Sequence, residues 1–291
     1  MLDIVIKVDR LPKSGEDIYG EPQGMSVGGC AYNVADILRH FEVPYTLFAP
    51  IGKGIYAEII DAKLKEAGQE SCLRSEEKDN GYCLSLVESN GERTFLTIPG
   101  IECSFKKEWF DALDAAAYDC AYVSGYEVEG EGGNAILEFF EAHPQLTIYY
   151  GPGPRITYIS KEKQKRLQAL HPVLHLNEKE ALDSTGETDY TRAAWQLSKL
   201  YGNTVLITLG DKGVYLQERG QEGLLVPSQP AHVVDTIGAG DAHIGAVIAM
   251  RQKGADFKRA LEVANRVSAL IVGVAGPTLT DEEFRKGDIE G

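Results

Sequence analysis

Residues 235–241, DTIGAGD, are of types that suit phosphoryl transfer. The apolar run after them, AHIGAVIAM, predicts a helix that begins near Ala239. Small residues at a helix start let a ligand approach the backbone, where N–H groups without helical partners and the helix dipole attract an anion. Asp241 then falls in the first turn, where its carboxylate can accept a proton from a hydroxyl that attacks phosphorus. A helix cap after a glycine turn explains any one of these residues, but not the set.

The elements that must position this segment alternate along the chain between short β-rich runs and helical stretches. This alternation predicts an α/β fold with a mainly parallel sheet. The runs that we predict as strands are 45–52, 118–127, 145–154, 172–178 and 203–210. The stretches that we predict as helices begin after Gly28 and at Ala57, Gly133 and Thr191.

Two further segments, 11–26 and 80–100, have the turn residues and apolar residues of twisted hairpins. The second carries a turn at Asn90-Gly91, flanked by alternating apolar positions. An extra β layer formed by separated parts of the chain is either a lid that covers a site or a pair of surface hairpins that cover none. These residues by themselves favour surface hairpins.

The charge of the chain narrows the choice of partners. It has 29 basic and 44 acidic residues, which give a net charge of −15 over 291 residues. Nucleic acids and anionic membranes are therefore poor partners. The five cysteines are dispersed, and no apolar run reaches signal-peptide or transmembrane length. We expect a cytoplasmic protein with reduced thiols, in which a local site holds any anionic ligand.

Two motifs together resemble those of the ribokinase/PfkB family of sugar and nucleoside kinases. They are DTIGAGD and the pair Gly28-Gly29, followed by Asn33. The resemblance extends over nearly the whole chain. It implies a ribokinase-like three-layer α/β/α sandwich that forms one kinase domain over residues 1–291. Segments 11–26 and 80–100 then become a β-sheet lid that excludes water from the transfer.

The resemblance implies a role for each residue that matches the motifs. Asp241 would be the general base, and Asn33 would bind substrate hydroxyls. The glycine pair would be a hinge under the lid, also at the substrate site. The backbone of Gly238, Ala239 and Gly240 would form an anion hole for the transferring phosphoryl group.

The same resemblance implies ATP and Mg²⁺ as cofactors. The positions that match nucleotide contacts are Asn177, Thr208, Gly210, Gly213 and Asn265. Glu180, three residues after Asn177, would help to place Mg²⁺ through water. Asp235 and the carbonyl of Ile237 fall where many members bind a monovalent cation, so K⁺ is a candidate ion.

The start of the chain departs from the family pattern. Asp3 aligns with the aspartate that binds sugar hydroxyls at the end of the family's first strand. Only Met1 and Leu2 precede it, however, where members have a full strand inside the sheet. We therefore expect exposed strand edges in this chain. Cys30 also stands where ribokinases often carry Lys.

Two further residues are candidates for binding the acceptor. Glu127 ends a predicted strand, where it either hydrogen-bonds a hydroxyl or is an exposed loop residue. Arg155 resembles an arginine that follows a D-x-N-x-R-type strand end in some sugar kinases, where it would contact a phosphate or a carboxylate. The aspartate of that pattern is Tyr150 here.

Other patterns are discounted. His171 and His175 are four residues apart, but Pro172 and the strand-like VLHL favour a satisfied strand histidine over a metal ligand. The P-loop motif is absent from the sequence. His243 replaces the third glycine of a dinucleotide fingerprint, which disfavours a hydride-transferring Rossmann enzyme.

We therefore expect ATP-dependent phosphorylation of a hydroxymethyl group on a sugar or a related small molecule. Two alternatives remain at this point. One is a nucleoside kinase of the same family, with an adenosine-like or pseudouridine-like acceptor. The other is a catalytically silent ligand-binding relative. The resemblance also suggests a homodimer through the lid.

Overall fold

A computed structural model of the chain describes residues 1–287 and residue 289. The chain divides into two compact units. The smaller unit consists of Met1–Tyr32 and Thr46–Ser104, and the larger consists of Asn33–Tyr45 and the chain from Phe105 onward.

The smaller unit is built on a mixed four-stranded sheet with the order β2-β1-β3-β4. Its strands are β1 (Leu2–Val8), β2 (Glu21–Val27), β3 (Tyr82–Glu88) and β4 (Arg93–Ile98). The central pair β1 and β3 is parallel, and each outer strand is antiparallel to its neighbour. A helix, Ile55–Glu66, packs against β1 and β2 and buries Ala57, Ile60 and Leu64.

The structure confirms one predicted hairpin and corrects two other predictions. Strands β3 and β4 form the hairpin of segment 80–100, and Gly91 turns it with a φ of 87°. Segment 11–26 is not a hairpin, because only its second half is a strand and its partner is β1. Segment 45–52 is not a strand either. It makes isolated bridges only at Leu47 and Ile51, and Pro50 between them has no N–H to donate.

The larger unit is built on a six-stranded sheet with the order β10-β9-β8-β7-β6-β5. Strands β5 to β8 are parallel to one another, and β9 and β10 continue the sheet in antiparallel fashion. The strands are β5 (Cys120–Ser124), β6 (Thr147–Gly151), β7 (Val173–Asn177), β8 (Val205–Thr208), β9 (Val214–Gln217) and β10 (Leu224–Val226). Within the described residues, β5 is an edge strand.

Helices of the larger unit cover both faces of this sheet, whereas the helix Ile55–Glu66 belongs to the smaller unit. In chain order the helices are α1 (Cys30–His40), α2 (the helix Ile55–Glu66 of the smaller unit), α3 (Gly125–Glu129), α4 (Gly133–Ala142), α5 (Lys161–Ala169), α6 (Glu178–Thr185), α7 (Tyr190–Tyr201), α8 (Ala239–Gln252), α9 (Phe257–Ile271) and α10 (Asp281–Lys286). The helices predicted at Gly28, Ala57, Gly133 and Thr191 are all present, with starts that differ by two residues or fewer.

Two buried hydrophobic cores lie between the sheet and its helices, one on each face of the sheet. Consecutive strand residues point to opposite faces, so Tyr149 packs with α8 and α9 whereas Tyr150 packs with α4, α5 and α7. This arrangement confirms the expected three-layer α/β/α sandwich around a mainly parallel sheet. No helix among residues 1–287 combines the length and the apolar character that crossing a bilayer requires.

The structure corrects the element assigned to Glu127. The predicted strand 118–127 ends at Ser124, whose hydroxyl accepts a hydrogen bond from the N–H of Tyr126 and so begins α3. Glu127 therefore lies in this short helix and not at the end of a strand.

Candidate active site

The N-terminus of α8 has the geometry that its sequence predicted. The helix begins at Ala239, and Gly238 before it has a left-handed φ of 75°. A Cβ at Gly238 would lie 2.7 Å from the Cβ of Pro277, whereas a Cβ at Gly240 would meet nothing within 4 Å. Glycine is thus required at the first position by conformation and space, and the backbone at the second is open to an approaching group.

Asp241 lies in the first turn of α8 and is hydrogen-bonded to Asn33 of α1. The Asn33 amide nitrogen donates to Asp241 Oδ2 at 2.8 Å, across 208 residues of sequence. Asn33 is 5% exposed, and its Oδ1 has no hydrogen-bond partner among residues 1–287 and 289. One residue of each motif, Asn33 and Asp241, therefore meets the other within the larger unit, where a buried acceptor is available to a donor.

Glu180 is the second carboxylate near this point. Asn177 caps α6 by accepting from the Glu180 N–H at 2.8 Å, and Glu180 accepts in return from the Asn177 N–H at 3.0 Å. Burial raises the pKa of Glu180, and the negative charge of Asp241 raises it further. The end of β7 and the start of α8 thus bring two carboxylates within electrostatic reach of each other.

Asp235 supports the loop before α8. Its Oδ1 accepts from the N–H of Ile237 at 2.9 Å, and its Oδ2 accepts from the N–H of Gly276 at 3.1 Å. Asp235 is buried. In the chain as described, this carboxylate ties the DTIGAGD loop to the segment that follows α9.

The expected nucleotide residues lie around the hairpin of β8 and β9. The Thr208 hydroxyl donates to the carbonyl of Leu176 at 3.3 Å, and Gly210 has a φ of 62°. Gly213 has a φ of 107°, and a Cβ there would lie 2.1 Å from the carbonyl oxygen of Val226. Asn265 is buried in α9, and its amide nitrogen donates to the carbonyls of Val226 and Pro227 at 3.1 and 2.9 Å.

Glu127 and Arg155 lie at the carboxyl ends of β5 and β6. The Ser124 hydroxyl donates to Glu127, and burial raises the pKa of the Glu127 carboxyl. Arg155 forms an ion pair with Glu129, in which its Nε and Nη2 each donate to one carboxylate oxygen, the latter at 2.6 Å. Both side chains of this pair are 30% exposed. The sequence did not identify Glu129 as a partner of Arg155. It is one of three glutamates within residues 127–131, and nothing in their spacing distinguishes it from the other two.

Asp3, Gly28 and Gly29 belong to the smaller unit. Asp3 lies in β1, and a Cβ at Gly28 would lie 1.8 Å from the Asp3 carboxylate. Only glycine at position 28 allows this close approach, and Gly29 has a left-handed φ of 109°. Burial raises the pKa of Asp3, against an opposing effect of the N-terminal ammonium group.

A buried histidine pair links β7 to α8. His175 Nε2 and His243 Nδ1 are 2.9 Å apart, and the two residues are 7% and 2% exposed. This contact confirms His175 as a satisfied strand histidine. Among the described residues, no group of three or more His, Cys, Asp or Glu side chains could hold a metal ion. The sequence showed no sign that His243, two residues after Asp241, is the partner.

Comparison of the sequence with known proteins identifies a family and relatives of this chain. A family model described as pfkB family carbohydrate kinase matches residues 1–283. The chain is 32% identical over 280 residues to an uncharacterised sugar kinase, YegV, of Escherichia coli K12, covering 95% of this chain and 87% of that protein. It is 26% identical to a ribokinase of Schizosaccharomyces pombe, with 93% and 88% coverage.

Solved structures have the same fold. A ribokinase of Thermotoga maritima matches with a TM-score of 0.81 at 24% identity, covering 98% of this chain and 95% of that one. An Arabidopsis thaliana ribokinase, solved with ribose and ATP, matches with a TM-score of 0.79 at 19% identity and the same coverage.

Proposed function

We propose that this chain, which belongs to the pfkB family of carbohydrate kinases, transfers a phosphoryl group from ATP to a hydroxymethyl group of a small sugar-like molecule. The observation that carries the proposal is the hydrogen bond between Asn33 and Asp241 at the start of α8. It joins a carboxylate, a buried amide and a glycine-rich helix start, which are the groups that this transfer requires.

Asp241 acts as the general base in this proposal. The amide of Asn33 holds Oδ2, so the carboxylate has a defined orientation and Oδ1 can accept the proton of the acceptor hydroxyl. The buried Oδ1 of Asn33 accepts a hydrogen bond from a second hydroxyl of the acceptor. Proton removal and acceptor orientation thereby come from two neighbouring side chains.

The start of α8 stabilises the transferring group. The backbone of Gly238, Ala239 and Gly240 presents N–H groups and the positive end of the helix dipole. These groups carry no formal charge, so a chain with a net charge of −15 can still hold a triphosphate.

The residues near Asp241 fit a magnesium ion. Mg²⁺ is usually held by one or two carboxylates, waters and substrate phosphates. Glu180, with its pKa raised by burial and by Asp241, is a carboxylate that a divalent cation would stabilise in its charged form. We propose that Glu180 holds Mg²⁺ through water, and that the ion, when bound, neutralises phosphate charge. Asp235 and the Ile237 carbonyl are proposed for K⁺.

The remaining expected residues complete the proposed site. ATP is proposed to lie along the nucleotide residues named above, Asn177, Thr208, Gly210, Gly213 and Asn265. The acceptor is proposed to use Asp3, Gly28 and Gly29 as well as Glu127 and Arg155. The lid assigned to 11–26 and 80–100, within one kinase domain, is also a proposal. The low number and dispersed positions of the five cysteines agree with the cytoplasmic location we propose.

We also propose a homodimer through the sheet of the smaller unit. The strand register aligns Met25, Ile4, Leu84 and Leu96 across all four strands, so these side chains share one face. Met25 and Leu96 are 51% and 55% exposed, and Ile98 on the same face is 41% exposed. An apolar sheet face of this kind is stabilised when a second copy covers it.

The test of the proposed function is Asp241→Asn, with Asp183→Asn on exposed α6 as the matched control. The first variant should lower kcat by about 10²–10⁴-fold and leave ATP affinity nearly unchanged, because it removes the base and keeps the shape. The control should behave as wild type. Full turnover by Asp241→Asn would refute the role of this residue.

A panel of acceptors identifies the substrate class. Sugars, sugar acids, sugar phosphates and nucleosides are each assayed for ADP release, with Mg²⁺ and with K⁺ present or absent. We expect neutral sugars to be the best acceptors. Preference for nucleosides would favour the nucleoside kinase, and ATP binding without turnover of any acceptor would favour the silent relative.

A further inference from the structure

The ion pair between Glu129 and Arg155 lies at an edge of the sheet that the proposed reaction uses. Strands β5, β6 and β7 are adjacent and parallel, so their carboxyl ends share one edge. Glu129 follows β5, Arg155 follows β6, and Glu180 follows β7 within electrostatic reach of Asp241. Ligands of open parallel sheets bind outside this edge.

Arg155 is held from several sides. Glu129 accepts from its Nε and Nη2, and the guanidinium lies 4.3 Å from the ring centre of Tyr158 and 6.0 Å from that of Tyr126. The pairing with Glu129 raises the pKa of Arg155, against the cost of partial burial. A guanidinium fixed by a carboxylate and aromatic rings is a rigid group with its charge compensated.

A second cation at this edge is also engaged. The Lys163 ammonium donates to the carbonyls of Val128, Glu129 and Gly130, at 2.8 to 3.1 Å. It thereby satisfies the carboxyl end of α3. The structure thus places two cations here, and each already has an acceptor from the chain itself.

We infer that Glu129 determines acceptor specificity by compensating Arg155, so that this end of the site takes an uncharged, hydroxyl-rich group and rejects a carboxylate or a phosphate. The inference rests on the proposed function and adds the charge class of the acceptor. An arginine at this position would otherwise favour an anion, as the sequence suggested.

The physical reason is the balance of charge at a half-buried position. An anionic group that bound Arg155 in the bidentate manner would displace Glu129, and the displaced carboxylate would lose two charge-assisted hydrogen bonds. An anion placed beside the intact pair would face the Glu129 carboxylate, which is a like charge. A neutral hydroxyl avoids both costs, because it can accept from Nη1, which Glu129 does not occupy.

The experiment compares kcat/KM for matched acceptors that differ only in one end group, a sugar and its sugar acid or sugar phosphate. It uses the wild type, Glu129→Gln and, as the control, Glu131→Gln in the same acidic run, where the side chain is exposed. We expect the wild type to prefer the neutral acceptor. Glu129→Gln should raise the ratio of anionic to neutral kcat/KM by about 10-fold or more, and Glu131→Gln should leave it unchanged.

Several outcomes separate the inference from the proposed function. Better turnover of the anionic acceptor by the wild type would overturn the inference, even if Glu129→Gln failed to fold. An unchanged ratio in a folded Glu129→Gln enzyme would also overturn it, while leaving the kinase activity established. Absence of turnover with every acceptor would instead refute the proposed function.

Discussion

Replacement of His243 by phenylalanine should make the stability of the protein less sensitive to acid. Burial lowers the pKa of His243 to about 4, with the nearby Asn265 side chain opposing the shift, and burial also lowers the pKa of His175. In the unfolded chain a histidine has a pKa near 6.5. Below that pH the unfolded state takes up a proton that the folded state does not bind.

The sign and the size of the effect follow from this difference. Above pH of about 6.5, His243 is neutral in both states and has no effect on the pH dependence. Between pH of about 6.5 and about 4 the free energy of unfolding falls, by up to about 1.4 kcal/mol per pH unit for one group. The total loss through His243 is about 3 kcal/mol, from a difference of roughly 2.5 pKa units.

The assay is urea denaturation followed by tryptophan fluorescence, at fixed ionic strength, from about pH 7 down to about pH 4. At neutral pH, His243→Phe should cost about 1–3 kcal/mol, because His175 loses its buried partner. Toward acid the variant should lose about 3 kcal/mol less than the wild type. The matched control is His232→Gln, at an exposed position, and its pH dependence should follow that of the wild type.

The reasoning would be refuted if the free energy of unfolding fell in parallel with pH for wild type and His243→Phe. His243 would then make no contribution to the pH dependence of stability. Flattening of the curve by His232→Gln would refute it as well, since the effect would not then depend on burial.

Three further variants test other parts of the structure. Gly238→Ala forces a Cβ into the left-handed φ of 75° and against Pro277, so urea denaturation should show a loss of about 1–3 kcal/mol, and an unchanged midpoint would contradict this. Asp79→Ala removes the acceptor for the N–H groups of Tyr56 and Ala57 at the start of α2 and should cost about 1–2 kcal/mol by the same measurement, whereas wild-type stability would show that the cap contributes nothing. Leu96→Glu places a charge on the apolar sheet face, so light scattering should change from a dimer to a monomer, and a variant that stays dimeric would exclude this face as the interface.

Local sequence signals were sufficient to predict the start of α8 and the turn of the β3–β4 hairpin. The glycines and small residues of DTIGAGD placed the start of α8 at Ala239, and Asn90-Gly91 placed the turn of the β3–β4 hairpin. These features depend on the φ that glycine allows and on helix periodicity, which neighbouring residues determine.

Other elements depended on partners that are distant in sequence. Segment 45–52 has strand-like residues but makes only isolated bridges, and β2 pairs with β1 and not with its own flanking residues. Pairing of strands is decided by which segments tertiary folding brings side by side, so a β-rich run alone does not determine it.

The candidate site divides in the same way. From the sequence alone, residue types and spacing named Asp241 and the glycines before it as a set that suits phosphoryl transfer, and the family resemblance added Asn33. Only the tertiary structure showed that Asn33 bonds Asp241, that Glu129 compensates Arg155, and that His175 pairs with His243. A side chain's partner, and therefore its charge and its pKa, is decided by packing across tens to hundreds of residues, which no local pattern records.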